Sequence, residues 1–153
     1  MQENWPRPIA ICVVRRDNKI FVAEGFDSVK NETFYRPLGG TIEFGEYGRD
    51  TVVRELMEEV GEPLTNVRFL GTSENIFTLL GRPGHEIVLI YEGDFVNGVI
   101  YDTPSVEARE GDAVFIARWM QLSDFVDGRF PLYPDGLLGM LTPPFPRHTQ
   151  DRL

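Results

Sequence analysis

The chain of 153 residues has little cysteine, few basic side chains and no long hydrophobic run. One cysteine, Cys12, excludes an intrachain disulfide and fits a reducing compartment. With 15 Lys and Arg against 24 Asp and Glu, the net charge is −9, which argues against long nucleic acids and anionic membranes as partners. No segment reaches the ~18 apolar residues of a membrane span. We expect a cytoplasmic protein, and the sequence leaves open whether it forms a homodimer.

Hydrophobic patterns predict strands on both sides of one long helix. Pro37 is expected to end one of these strands, and the polar segments Gly25 to Glu32 and Asn97 to Asp112 are expected to be loops. The predicted strands are Ile9 to Arg15, Lys19 to Glu24, Thr33 to Arg36, Thr41 to Phe44, Val67 to Leu80, Glu86 to Val96 and Ala113 to Leu122.

Helical periodicity begins near Tyr47 and continues to Val60, where Gly61 supplies a stop. Its predicted apolar face consists of Val53, Leu56, Met57 and Val60. A second helix is predicted from Asp135 to Leu141. One helix among strands indicates an α+β fold in a single domain, 1–153, with an ordered core over about 9–141 and a flexible tail at 142–153.

The negative charge is concentrated around the long helix. Between Glu43 and Glu62 the chain has seven acidic and two basic residues, a net charge of −5. Glu55, Glu58 and Glu59 are spaced to share the helix face opposite the apolar one. Such clusters attract Mg²⁺ or Mn²⁺, although an acidic helix face taken alone is more often solvated surface.

The residues before this helix give the acidic cluster a specific context. Gly40 is followed after five residues by Glu46, after seven more by Arg54-Glu55-Leu56, and then by Glu58-Glu59 and Gly61. This spacing resembles the Nudix box, G-x5-E-x7-R-E-U-x-E-E-x-G-U, in which U is a bulky apolar residue. Eight of the nine specified positions match, and Glu62 replaces the last apolar residue. The resemblance implies the family's α/β/α sandwich with a mixed sheet and a loop-helix-loop metal motif.

The resemblance also implies an activity, the hydrolysis of a diphosphate linkage in a small nucleotide with Mg²⁺ as cofactor and Mn²⁺ as an alternative. Carried over by position, Glu55, Glu58 and Glu59 bind the metal, and Gly39 contributes its carbonyl. The bracing positions of the motif are Gly40, Glu46, Arg54 and Gly61. The competing hypothesis is a non-catalytic sensor or regulator with a Nudix fold.

Two sources compete for the general base that the resemblance requires. Glu55 lies inside the motif, whereas Glu107, Glu110 and Asp112 lie in the predicted loop before the last strand. A solvated acidic loop is the alternative for each of the last three. We favour Glu110.

Substrate recognition is expected from the sheet beside the helix. Arg36 is the predicted phosphate-binding cation, with a surface salt bridge as the alternative. Phe34 is the predicted base-stacking residue; Tyr35, Phe77 and Tyr91 could also stack, but aromatic residues on strands are more often core.

Two further patterns are uninformative. His85 and Glu86 have no second histidine at metalloprotease spacing and are assigned to a turn. Residues 77–80 contain neither the proline nor the tyrosine that mark two Nudix subgroups, and no NADH-pyrophosphatase or coenzyme A signature is found. The subgroup is therefore not assigned.

Overall fold

The computed structural model describes residues 4–142 and places seven strands around one long helix. The strands are β1 (Arg7–Arg16), β2 (Lys19–Asp27), β3 (Glu32–Thr41), β4 (Leu64–Leu79), β5 (Arg82–Phe95), β6 (Ser105–Glu110) and β7 (Ala113–Gln121). The α-helices are α1 (Gly48–Val60), α2 (Leu122–Val126) and α3 (Leu137–Leu141), with a 3₁₀ helix at Gly98–Asp102. No helix within 4–142 is long and apolar enough to cross a membrane.

The strands form one mixed sheet in the order β4-β5-β1-β3-β2-β7-β6. Strands β1 and β5 pair in parallel, whereas the other strand pairs are antiparallel. Helix α1 covers one face through Val52 and Leu56, and the short helices cover the other through Phe125 and Leu137. The predicted α+β class and its sandwich with a mixed sheet are confirmed.

Strand β1 is buried on both sides, which explains its continuous apolar run. Ile9, Ile11 and Val13 pack into the core beneath α2 and α3, while Ala10 and Cys12 pack into the core beneath α1. The two layers therefore meet at this strand.

The prediction that Pro37 ends a strand is wrong. Strand β3 pairs with β2 up to the Val22–Pro37 position and with β1 from the Cys12–Leu38 position onward. Pro37 lies where the strand changes partner, so its missing N–H interrupts neither ladder. The strand ends at Thr41, and the predicted short strand from Thr41 to Phe44 is not formed.

The predicted loop from Gly25 to Glu32 is shorter than expected, since half of its residues belong to strands. Strand β2 continues to Asp27, whose Oδ1 accepts hydrogen bonds from the backbone N–H groups of Val29 and Lys30 at 2.9 and 3.1 Å. This side chain closes the turn locally, and β3 begins at Glu32.

The predicted loop from Asn97 to Asp112 is also wrong. It contains the 3₁₀ helix, capped by Asn97 Oδ1, and strand β6, which forms a hairpin with β7. In β6 Ala108 is fully buried while charged side chains occupy the outer face, so the alternation of this edge strand is weak.

Helix α1 has the predicted length and ends at Gly61, which has φ 71° and donates its N–H to the Met57 carbonyl at 3.0 Å. Its predicted apolar face is rotated, however. Val52 and Leu56 are buried, whereas Val53 and Met57 are 39% and 47% exposed. The acidic residues are consequently not all on the solvent side.

The remaining elements agree with the patterns. The β4–β5 hairpin and the helix near Leu141 lie where they were predicted. The predicted tail at 142–153 lies outside the described residues except for Thr142, whose N–H bonds the Leu138 carbonyl at 3.0 Å.

Candidate active site

Two glycines bring the end of β3 against its neighbours. A Cβ on Gly39 would lie 2.0 Å from the Ala10 carbonyl oxygen, and one on Gly40 would lie 2.5 Å from the carboxyl carbon of Glu55. A side chain at position 39 would collide with the backbone of β1, and one at position 40 would displace the carboxylate of Glu55. The glycines therefore allow the strand end to approach both β1 and the carboxylate of Glu55.

Arg54 holds the motif together. Its Nε and Nη2 donate to the two oxygens of Glu46 at 2.9 and 3.0 Å, a bidentate pair, and Nη2 also donates to the Thr41 carbonyl at 3.2 Å. Its Nη1 donates to Glu55 at 2.9 Å and to Glu58 at 3.3 Å. One guanidinium thus ties the loop and two of the helix carboxylates together.

These bonds change the protonation of the pair. The hydrogen bonds from Arg54 lower the pKa of Glu46 to about 2, and the bond to Glu46 in turn raises the pKa of Arg54. The Thr51 hydroxyl adds a hydrogen bond to Glu46 at 2.7 Å. Glu46 stays ionised, as a bracing counterion requires.

Glu59 differs from its neighbours because it points into the protein. It is 6% exposed, and its Oε2 has no hydrogen-bond partner in the described chain. Burial, and then the charges of Glu55 and Glu110, raise the pKa of Glu59 to about 8, against the opposing charge of Arg36. Burial also raises the pKa of Glu55. Two predicted metal ligands, the favoured base and the predicted phosphate-binding cation therefore lie together.

The carboxylates fit a divalent cation chemically. Within residues 4–142 no three His, Cys, Asp or Glu side chains are already arranged around a metal position, since Arg54 engages Glu55 and Glu58. The buried Oε2 of Glu59 nevertheless lacks a partner, and an ionised oxygen there needs a cation or a donor. A hard cation that prefers oxygen ligands meets this need.

A cavity of about 250 Å³ opens beside these carboxylates. Arg36, Gly39, Glu59 and Glu110 are among the residues that line it, and Arg36 has no ion pair with any residue of the described chain. The predicted surface salt bridge of Arg36 is thus not formed. The positively charged Arg36 and the acidic Glu59 and Glu110 therefore line the same cavity.

The other candidates for the general base are less well placed. Glu107 pairs with Arg109 at 3.3 Å on the outer face of β6, and Asp112 lies in the exposed turn that follows. Neither lines the cavity, whereas Glu110, at the end of the same strand, does.

The four aromatic candidates separate into two groups. Phe34 and Phe77 line the cavity. Tyr35 is a core residue packed between Phe125 and Phe130 at ring distances of 6.0 and 5.3 Å, and Tyr91 packs on Phe69 outside the cavity. Stacking on a base remains a prediction for the first two alone.

Sequence patterns missed three cavity residues, Asn75, Glu86 and Tyr133. The loop or turn assignment of His85 is wrong, because β5 already begins at Arg82; Glu86 lies in β5, as the strand predicted from Glu86 to Val96 requires. The sequence could have indicated that Glu86 faces inward. Side chains alternate along a strand, and Glu86 lies two and four residues before the buried Val88 and Ile90. Tyr133 follows no periodic element and carried no such signal.

The comparison with family models decides what this motif belongs to. The NUDIX domain model matches residues 5–136. The chain belongs to the Nudix family. The predicted family membership is confirmed.

Curated relatives and solved structures agree with this assignment. NAD-capped RNA hydrolases named NudC match from Pseudomonas putida, at 29% identity over 123 residues, and from Pseudomonas syringae pv. syringae, at 31% over 122. These alignments cover 79% and 78% of this chain but 39% and 38% of those proteins, so the chain spans about two fifths of their length.

Among solved structures, a MutT NUDIX hydrolase from Burkholderia pseudomallei has a TM-score of 0.62 at 21% identity, covering 91% of this chain and all of that one. A NUDIX hydrolase from Nitrosomonas europaea has a TM-score of 0.63 at 15% identity, covering 90% and 86%. At such identities the likeness establishes the fold.

Proposed function

We propose that this Nudix protein hydrolyses the diphosphate linkage of a small nucleoside diphosphate derivative, such as a triphosphate, a nucleotide sugar or a dinucleotide, with Mg²⁺ as cofactor. The observation that carries the proposal is the buried carboxylate of Glu59. It lines a cavity with Glu110 and the unpaired Arg36, and Glu55 lies close to it, so that a phosphate chain and a metal ion would meet there.

Glu55, Glu58, Glu59 and the carbonyl of Gly39 would hold the metal, and Mn²⁺ could replace Mg²⁺. When bound, the cation would offset the negative charge of the diphosphate and lower the pKa of the attacking water. Arg54 would keep two of these carboxylates in place through the bonds described above.

The other two groups would act on the substrate directly. Arg36 would bind phosphate oxygens through its fork of donors. A carboxylate oxygen of Glu110 would accept the proton of the water as its oxygen attacks phosphorus and the anhydride P–O bond breaks. The leaving oxygen departs on the second phosphate, so each product ends in a phosphate group.

The test is product analysis on a panel of nucleoside triphosphates, nucleotide sugars and dinucleotides with Mg²⁺. NAD belongs in the panel because the curated relatives are named as hydrolases of NAD-capped RNA. Glu59→Gln and Glu58→Gln should each lower kcat by about 10²-fold or more, since removing one charge-stabilising group costs that much. Glu62→Gln is the matched control: it removes the same charge just beyond the helix, away from the cavity.

Two results would overturn the proposal. Full activity of both variants would mean that the acids have no catalytic role. Tight Mg²⁺-dependent binding of a nucleotide without turnover of any panel member would instead support the sensor hypothesis.

A further inference from the structure

Two aromatic walls of the cavity are built in the same way. Phe34 faces Gly25 across the β2–β3 ladder, and Phe77 faces Gly84 across the β4–β5 ladder. A Cβ on either glycine would lie 2.4 Å from the ring of its partner. Each ring therefore lies over a glycine, which leaves it the space to rest against the sheet. Both rings line the cavity.

A polar pair lies on the same hairpin as Phe77. Asn75 and Glu86 are directly opposite each other in the β4–β5 ladder, so their side chains share a face, and both line the cavity. They are 5% and 7% exposed. A buried amide directly opposite a buried carboxylate, on a mostly apolar wall, is suited to hydrogen-bonding the edge of a flat ligand.

The amide of Asn75 has a fixed orientation. Its Oδ1 accepts the backbone N–H of Asp135 at 3.3 Å, while Ser73 Oγ donates to the Asp135 carbonyl at 2.6 Å. These two bonds hold the segment that carries Tyr133, whose ring packs edge-on against Phe34 at 5.8 Å. With its oxygen occupied, Asn75 has its Nδ2 donor left for a ligand.

Glu86 has accepting capacity left. Two other cavity acids differ from it: Glu24 accepts from the Tyr35 hydroxyl at 2.7 Å, and Asp27 accepts three backbone N–H bonds. Within residues 4–142 the only partner of Glu86 is Arg7, at 4.0 Å, and the Arg7 side chain is 63% exposed. A buried carboxylate with so weak a partner is poised to accept hydrogen bonds from a ligand.

Resting on the proposed function, we propose that Asn75 and Glu86 select a guanine base. The Watson–Crick edge of guanine offers one acceptor, O6, followed by two donors, N1–H and the 2-amino group. Asn75 Nδ2 would donate to O6, and the two oxygens of Glu86 would accept from N1–H and the 2-amino group. Phe34 and Phe77 would contact the faces of the base.

Other bases would form fewer favourable hydrogen bonds with Asn75 and Glu86. Hypoxanthine lacks the 2-amino group and leaves one Glu86 oxygen unpaired. Adenine offers one donor, and uracil places carbonyl oxygens beside a carboxylate. Charge also favours one orientation of the ligand, because Arg36 attracts phosphate beside Glu59 and Glu110, whereas the carboxylate of Glu86 repels phosphate from the position beside Asn75. The volume of about 250 Å³ suits one ring system rather than a whole dinucleotide.

The experiment compares nucleotides that differ in one group. Calorimetric titration of the wild-type protein with GMP, IMP and AMP should give a Kd for GMP lower by about tenfold to a hundredfold than for IMP, the value of one charge-assisted hydrogen bond. The ratio of kcat/KM for GTP over ITP should show the same preference. Equal affinity for GMP and IMP, or no binding of GMP, would overturn the proposal.

Variants assign the preference to its residues. In Glu86→Gln, the affinity for GMP should exceed the affinity for IMP by less than about threefold. Asn75→Asp keeps an oxygen that accepts the Asp135 N–H but replaces the Nδ2 donor with a second oxygen. It should weaken GMP binding, because O6 of guanine then loses its donor. Glu74→Gln removes the same charge from the outer face of the hairpin, where the side chain is 66% exposed, and should keep the wild-type ratio. A wild-type ratio in folded Glu86→Gln, checked by circular dichroism, would overturn the assignment.

The two proposals fail separately. Selective binding of GMP without hydrolysis of any nucleotide would refute the proposed function and leave the base selection standing. Hydrolysis of GTP and ITP with equal kcat/KM would refute the base selection and leave the proposed function standing.

Discussion

The two ends of the cavity are built differently. At the motif end, Arg54 ties Glu46, Glu55 and Glu58 together within one short stretch of chain, and Glu59 Oε2 and the Arg36 side chain are left without a partner in the described chain. At the hairpin end, Asn75, Glu86 and the aromatic walls come from separate strands, and their polar atoms keep unused hydrogen-bonding capacity. One end is organised before substrate arrives, whereas the other is completed by the ligand.

This difference separates chemistry from selection. Substitutions at the motif end should affect every substrate alike, because they disturb groups that any diphosphate meets. Substitutions at the hairpin end should change the ratio between substrates. The predictions below test that separation at the motif end, from the largest expected effect to the smallest.

Truncating the anchor of α1 should have the largest effect. Leu56 is 1% exposed and packs into the core between the helix and the sheet. Leu56→Ala should lower the free energy of unfolding by about 2–5 kcal/mol, measured by denaturant titration. Met57→Ala, one residue further and 47% exposed, should change it by about 0.5 kcal/mol or less. Equal losses would mean that the helix is packed through the face that sequence periodicity first indicated.

Replacing Arg54 should abolish most activity with a smaller loss of stability. Lys cannot make the bidentate bond to Glu46 and also reach Glu55 and Glu58, so Arg54→Lys should misplace the carboxylates. We expect kcat to fall on the order of 10²-fold for every nucleotide tested. Arg49→Lys on the same helix, which bonds the Val67 carbonyl, is the control. A loss confined to one nucleotide would contradict the separation of the two ends.

The sequence predicted the motif end well because its residues are close in the chain. The spacing from Gly40 to Gly61 indicates a loop and a helix directly, and the Arg54 to Glu58 contact follows from helical geometry. The rotation of α1 was missed because Val53 and Met57 are apolar but face solvent, while Glu59 is acidic but buried. The positions of hydrophobic residues alone cannot predict that an acidic side chain is buried.

The hairpin end is hard to predict because it depends on the exact register of strand pairing and on contacts with residues far along the chain. Phe34 was named from its neighbourhood, but its partner in the wall, Tyr133, lies about a hundred residues away. Asn75 and Glu86 become one feature only through the β4–β5 register. The sequence predicts a strand end at Pro37 because a change of partner within one strand cannot be recognised from the local sequence.

The last predicted effect, which is small for each unit of pH, is a pH dependence of stability without metal. The pKa of Glu59 is about 8 in the folded protein and 4.5 in an ordinary environment. Between these values the folded state holds a proton that the unfolded state has released, so the unfolding free energy should fall as pH rises from about 4.5 to about 8. Glu46, with its pKa near 2, contributes only below this window.

Thermal melts in EDTA at several pH values across this window check the sign. Glu59→Gln should make the decline shallower, because the neutral amide has no proton to release, whereas Glu62→Gln should keep the wild-type slope. Added Mg²⁺ should raise the Tm more at pH 8 than at pH 5, since a cation stabilises the ionised carboxylate that burial disfavours. A slope that is the same in wild type and Glu59→Gln would show that the buried acid does not control the stability of the motif end.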